Sequence, residues 1–224
     1  MTPIALNTAN TPIALNTANT QIALNTANTP LTSRDPMPQN STEISNENWA
    51  TALRYIAGRK AAEESLGFLA RISATIRTTT DLPDVIPAVA ATCVPFLASA
   101  ISLDAPAVHS QPITQSPNGL SAALDKVRAL AQSSDQQQIV ISEHEGCTKR
   151  TDPGHLDLLR EWKADSAAAF TLNFRGVAGG HLILVRTSTH RLGPIGPGDL
   201  ALVNEVADRV AAFNAFATYL TAGK

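Results

Sequence analysis

Residues 166–187 constrain the fold of this chain more than any other stretch. Phe170, Leu172 and Phe174 alternate with Ala169, Thr171 and Asn173, and that period of two predicts a strand with one bulky face and one small, polar face. Arg175-Gly176-Val177-Ala178-Gly179-Gly180 reads as a glycine turn. His181-Leu182-Ile183-Leu184-Val185-Arg186-Thr187 then reads as a return strand, apolar almost throughout, as expected of a strand covered on both faces. A Pro/Gly turn comes next, and after it a helix runs toward residue 224. A hairpin followed by a long helix, with helices earlier in the chain, predicts an α+β fold.

The final helix carries Val203, Val206, Val210, Phe213, Ala217 and Leu220 at spacings of three and four, which is a heptad seam. Earlier, Trp49, Leu53 and Ile56, then Leu66, Leu69, Ile72 and Ile76, form an apolar stripe on a helix expected to start near Asn46 and to bend or break at Gly58. A second helix is expected from Asp81, with Pro83 in its first turn and Val85, Ile86, Val89, Ala90 and Val94 along it. Ala100–Asp104 and Gln138–Ser142 read as short strands. Residues 105–118 read as a loop, and 119–132 as a modest helix. Aromatic residues are only 4% of the chain, so alanine and the aliphatic side chains must build most of the core.

Residues 2–28 are three copies of a nine-residue unit, Thr2–Asn10, Thr11–Asn19 and Thr20–Asn28, with Gln21 in place of the proline in the third. Units this short and this poor in apolar side chains do not close a core. Residues 1–45 are therefore expected to be a disordered low-complexity tail and linker, and 46–224 a single domain.

The charge balance is 17 Lys and Arg against 19 Asp and Glu, a net charge of -2. No basic excess is present to draw the chain to a phosphate backbone, so nucleic acid is not an expected partner. No apolar run approaches the roughly 20 residues of a membrane span. The N-terminus has neither a basic start nor a continuous apolar core, and a cytoplasmic location is the expectation.

Taken in order, the long helix, Leu82-Pro83-Asp84-Val85-Ile86-Pro87-Ala88-Val89, Cys93-Val94-Pro95-Phe96-Leu97 running into a strand, Leu158 to Ala167, the glycine hairpin and Gly196-Pro197-Gly198-Asp199-Leu200-Ala201-Leu202 resemble a GAF domain. The resemblance covers about residues 62–220 and rests on order and texture, since that family has no short invariant motif. It implies a central antiparallel sheet with the N- and C-terminal helices packed on one face, and a lid of helices and loops over a small-molecule pocket on the other. It also implies a homodimer joined through the terminal helices. Such a module senses or regulates, and with only four residues expected beyond the last helix its output passes through a partner signalling protein.

If Phe170, Leu172 and Phe174 face the terminal helices, Ala169, Thr171 and Asn173 face the lid and leave room and hydrogen-bonding groups for a ligand. Ser102 and Asp104 from the first strand, with His144 and Trp162 at the rim, complete the expected pocket. No cofactor is specified. Cys147 precedes Thr148, so the Cys-His pair of bilin-attaching relatives is missing, as is the Asn-Lys-x-Phe-Asp-Glu signature of cyclic-nucleotide binders.

A second reading, from a different class, is a small redox- or metal-dependent enzyme. His144, Glu145, Cys147 and His155 can be drawn as a three-ligand metal site, and Lys149 and Arg150 beside Cys147 are placed to lower its thiol pKa. The spacing matches no established metal motif, and there is no second loop cysteine to resolve an oxidised Cys147. Metal is not part of the expected site.

Overall fold

A computed structural model describes residues 40–117 and 119–222. The nonapeptide repeat lies outside these residues. Asn48–Lys224 form one compact unit. The elements are α1 (Asn40–Thr78), α2 (Leu82–Cys93), β1 (Ala100–Leu103), β2 (Ile113–Gln115), α3 (Ser121–Ser133), β3 (Gln138–Ile141), α4 (Pro153–Glu161), β4 (Ser166–Phe174), β5 (Val177–Arg186) and α5 (Pro197–Ala222).

The five strands form one sheet in the order β2-β1-β5-β4-β3, and every pairing is antiparallel. β5 is the middle strand, which explains its continuous apolar sequence. Leu182 and Leu184 enter the core shared with α1, α2 and α5, while Ile183 and Val185 enter the core shared with α3 and α4. The sheet is thus sandwiched, with the terminal helices on one face and the middle helices on the other. Phe170 and Leu172 are buried on the terminal-helix face, with Phe174 packed against them, as their alternation predicts.

Three elements differ from expectation. α1 begins at Asn40 rather than near Asn46 and runs unbroken through Gly58, where a Cβ would meet no atom within 4 Å. Residues 113–115, read as loop, form the edge strand β2 beside Ile101–Leu103. The hairpin turn is only Arg175-Gly176, both in the left-handed region (φ 51° and 82°), and Phe174 already pairs with Val177. A two-residue turn with positive φ at both positions matches the twist of the strands it joins. Gly179 and Gly180 therefore belong to β5, where Gly179 answers to packing and Gly180 to both a positive φ of 82° and a close contact. A Cβ on Gly180 would lie 2.6 Å from the Asp104 carboxylate carbon, and one on Gly179 would lie 3.1 Å from Leu172 Cβ.

The heptad seam of α5 lies on the sheet: Val203, Val206, Val210, Phe213 and Ala217 are all buried there. The apolar side chains that α5 leaves outside are Phe216, Tyr219 and Leu220. α1 lies alongside α5 and runs in the same direction, since Arg191, just ahead of α5, pairs with Glu64 and Arg209 Nε donates to Ser73 Oγ at 3.1 Å. Phe68 and Ile72 bury α1 in the core, whereas residues 51–60 are exposed throughout.

Arg186 closes the domain. Its side chain is fully buried at the end of β5, where its two terminal nitrogens each donate to one Asp199 carboxylate oxygen at 2.9 Å and Nε donates to Leu97 O at 2.9 Å. Asp199 Oδ2 also accepts from the Gly196 N–H at 2.9 Å, so the same carboxylate caps the first turn of α5. One ion pair thereby ties β5, the α2–β1 connection and the start of the last helix.

Candidate functional site

The expected pocket residues fall in four places. Ala169 is buried under α3, in a core with Ala123, Leu124, Val127, Ala131, Leu159 and Ile183. Small side chains on this face let the helix approach the sheet, so α3 fills the space that they were expected to leave open. Ser102 is buried at the edge of the same layer, where its Oγ accepts from an Arg128 terminal nitrogen at 2.5 Å and from Thr114 Oγ1 at 3.4 Å. Trp162, at the C-terminal end of α4, packs against this core with Lys126 Nζ 5.9 Å from its ring centre. Asp104 lies beyond the end of β1, against Gly180.

His144 is on the other side of the molecule. The loop after β3 carries it to the start of α5, where its ring abuts Gly196 and its Nδ1 accepts from the Gly146 N–H at 3.1 Å. It lines a 330 Å³ cleft with Ser65, Phe96, Arg191 and Asp199. The backbone path decides this, because Ser142 Oγ anchors the loop by donating to Ile195 O at 2.7 Å.

Thr171 and Asn173 are brought together, at the outer end of β4. A bulge between them ends the regular register, and Asn173 Oδ1 accepts from the Gly176 N–H at 3.3 Å, bracing the turn. They line a 390 Å³ cavity between the sheet edge and α5, with Gln137, Gln138, Asn204 and Asp208 around them and Phe170, Ala207 and Ala211 below. A second cavity of 440 Å³ shares Gln138, Phe170 and Asn204 with it and extends to Arg150 and Pro197. The two form one trough along α5. Its floor is apolar and its walls are rich in carboxamides, which both donate and accept hydrogen bonds. Gln137, Gln138 and Asn204 went unread in the sequence, because only β3 ending short of β4 turns three separate polar residues into one wall.

Cys147 is buried, with 1% of its surface exposed, and burial pushes its thiol pKa up, with Asp199 adding to the rise and Arg150 opposing it. That is the opposite of the activated thiolate the redox reading needs. Cys93 is pushed up to about 12 by burial. Among the described residues, no three His, Cys, Asp or Glu side chains are grouped to hold a metal ion. His190 is lowered by burial and by Arg186, with a hydrogen bond to Pro95 O opposing. Burial would raise Asp199, but the hydrogen bonds from Arg186 and Gly196 outweigh it and leave the carboxyl below its ordinary range.

No protein-family model matches the sequence. No curated protein matches it either. Among solved structures the chain is similar to a far-red absorbing dark-state protein with bound biliverdin (16% identity over 67% of this chain and 98% of that one, TM-score 0.47). It is similar to the phycoerythrobilin-bound GAF domain of a cyanobacterial phytochrome (15%, 71% and 98%, TM-score 0.46). A third is the GAF domain of a phosphoenolpyruvate-protein phosphotransferase from Coxiella burnetii (15%, 72% and 98%, TM-score 0.45). Among the described residues no helix is long and apolar enough to cross a membrane. The antiparallel sheet, with α1 and α5 on one face and α3 and α4 on the other, is the α+β arrangement that the resemblance to GAF domains implies.

Proposed function

We propose that this protein is a regulatory module that binds a ligand in the trough beside α5 and passes the event to a partner signalling protein through its terminal helices. The observation that carries this reading is that α5 serves both sides. Asn204, Ala207, Asp208 and Ala211 line the trough, while Arg209 bonds to α1 and Phe213 and Phe216 flank Ile76 of α1. A ligand that favours one position of α5 acts on α1 directly, by no more than its differential affinity for the two positions.

The module works as a homodimer in this reading. Trp49, Leu53 and Ile56 follow one another on one face of α1 and are 69%, 60% and 60% exposed. Covering that face with a second copy supplies burial that these side chains lack in a single copy. Phe216 and Tyr219 add exposed apolar surface at the far end of α5.

Native mass spectrometry of protein purified from its own host tests both parts. A dimer carrying a retained ligand is expected, with the ligand lost from Asn204→Trp, which fills the trough, and the dimer lost from Leu53→Glu. A ligand retained equally by Asn204→Trp overturns the site. A monomeric parent chain overturns the dimer.

A further inference from the structure

The trough has the features of a strand-addition site, and a peptide bound there presupposes that the trough is where the protein takes its ligand. β3 is the last strand of the sheet, and Gln137 O accepts from Thr171 N–H at 2.9 Å. Alternation therefore turns the backbone N–H and C=O of Gln138 away from β4, toward the open edge. Farther along that edge Thr151 Oγ1 closes the outward groups of Ser142, accepting from its N–H at 3.0 Å and donating to its O at 3.1 Å. In the other direction β4 continues beyond the start of β3 to Phe174, with no strand on that side among the described residues.

The trough follows α5 from Pro197 to Ala211, about 21 Å at 1.5 Å per residue. That length takes six or seven extended residues at about 3.3 Å each. The carboxamides of Gln137, Gln138, Asn173 and Asn204 suit a peptide backbone, which presents one donor and one acceptor per residue. The charges at the two ends differ. Arg150 stands at one end without a carboxylate partner among the described residues, and Glu205, which lines the same cavity, is paired with Arg209. At the other, Asp208 has no cation among the described residues and accepts from Asn204 Nδ2 at 3.3 Å.

We propose that the trough binds an extended peptide segment of a partner protein, six or seven residues long, that adds as a strand beside Gln138, with an acidic residue at Arg150 and a basic residue at Asp208. Main-chain bonds to an open sheet edge supply the affinity in such binding, and the two end charges supply the selectivity.

The test is selection of a displayed library of random linear decapeptides on the full chain, with the Asn204→Trp variant as counter-target. Enriched peptides are expected to carry one acidic and one basic residue a few positions apart. Arg150→Glu is expected to weaken them about tenfold, and replacing the peptide's acid by lysine to restore binding to that variant. Gln138→Pro, which removes the outward N–H, is expected to weaken them to a similar extent, and its melting curve reports separately on folding. Absence of enrichment over the counter-target overturns the proposal, as does binding indifferent to Arg150→Glu. A small molecule retained in the trough, with no peptide enriched, overturns the peptide and leaves the ligand-binding reading standing. Loss of both removes both.

Discussion

The two faces of the sheet are built from different materials, and the difference decides where a ligand has room. On the terminal-helix face Phe170, Leu172, Leu182 and Leu184 meet the large side chains of α1, α2 and α5. Bulky strands hold a helix at a distance, and where β3 ends short that distance opens at the edge as a trough. On the opposite face Ala100, Ala167 and Ala169 meet Ala123 and Ala131, and the layers close. Packed interiors run close to the density of organic crystals, so small side chains bring the layers together more readily than they leave a void. Small residues on a strand are therefore no signature of a pocket.

The largest effect is expected where one residue ties β5 and the α2–β1 connection to the start of α5. Arg186→Met leaves Asp199 without its partner, and breaking a buried pair in this way costs about 3–5 kcal/mol. Urea unfolding should show a correspondingly lower midpoint. A midpoint unchanged from the parent would mean that the pair contributes little and that the apolar layers alone fix the last helix.

Ala169→Leu sharpens the contrast between the faces. Overpacking a closed layer costs about 1–3 kcal/mol. A loss in that range, read from the same unfolding curves, marks the α3 face as full. A variant as stable as the parent would mean that α3 stands off and that the site belongs on this face after all.

A smaller effect comes from acid. His190 has a folded pKa below its unfolded value of about 6.5, so its neutral form stabilises the fold above that pH, and the contribution is lost as pH falls through the folded pKa. Asp199, also lowered, adds stability above the ordinary carboxylate pKa of about 3.9 and loses it in stronger acid. Melting temperature should therefore fall between pH 7 and pH 5, and His190→Gln should flatten that part of the profile. Equal slopes for parent and variant would assign the acid sensitivity elsewhere. These groups gather where β5 meets α5, so the effect should leave the α3 face unchanged.

Much of the fold was legible because it depends on periodicity. The alternation through Phe170, Leu172 and Phe174 placed those side chains on the correct face, and the unbroken apolar run of β5 marked a strand covered on both sides. β2 escaped notice because three residues between prolines carry too little pattern to stand out from a loop. Gly179 and Gly180 read as turn residues, since nothing local distinguishes a glycine of a turn from one inside a strand, where Gly180 takes a positive φ beside Asp104 and Gly179 admits Leu172. Of the expected site, Thr171 and Asn173 share a cavity, but it lies beside α5 and not under the lid they were expected to face. Ser102, Ala169 and Trp162 are absorbed into a core, and His144 is carried by the path of its loop to the start of α5, beside Gly146 and Pro197 where the trough begins. Arg186 looked like the polar end of a strand, because its partner is 13 residues away and becomes a partner only when α5 docks.

By itself the sequence settled which side chains share a face of each strand and helix, because a period of two or of 3.6 is a local property of the backbone. Only the tertiary structure decided how far each helix stands from the sheet and which strand ends first. Those outcomes depend on side chains that meet across the layers, and they produce the closed α3 face, the trough along α5 and the buried Arg186–Asp199 pair.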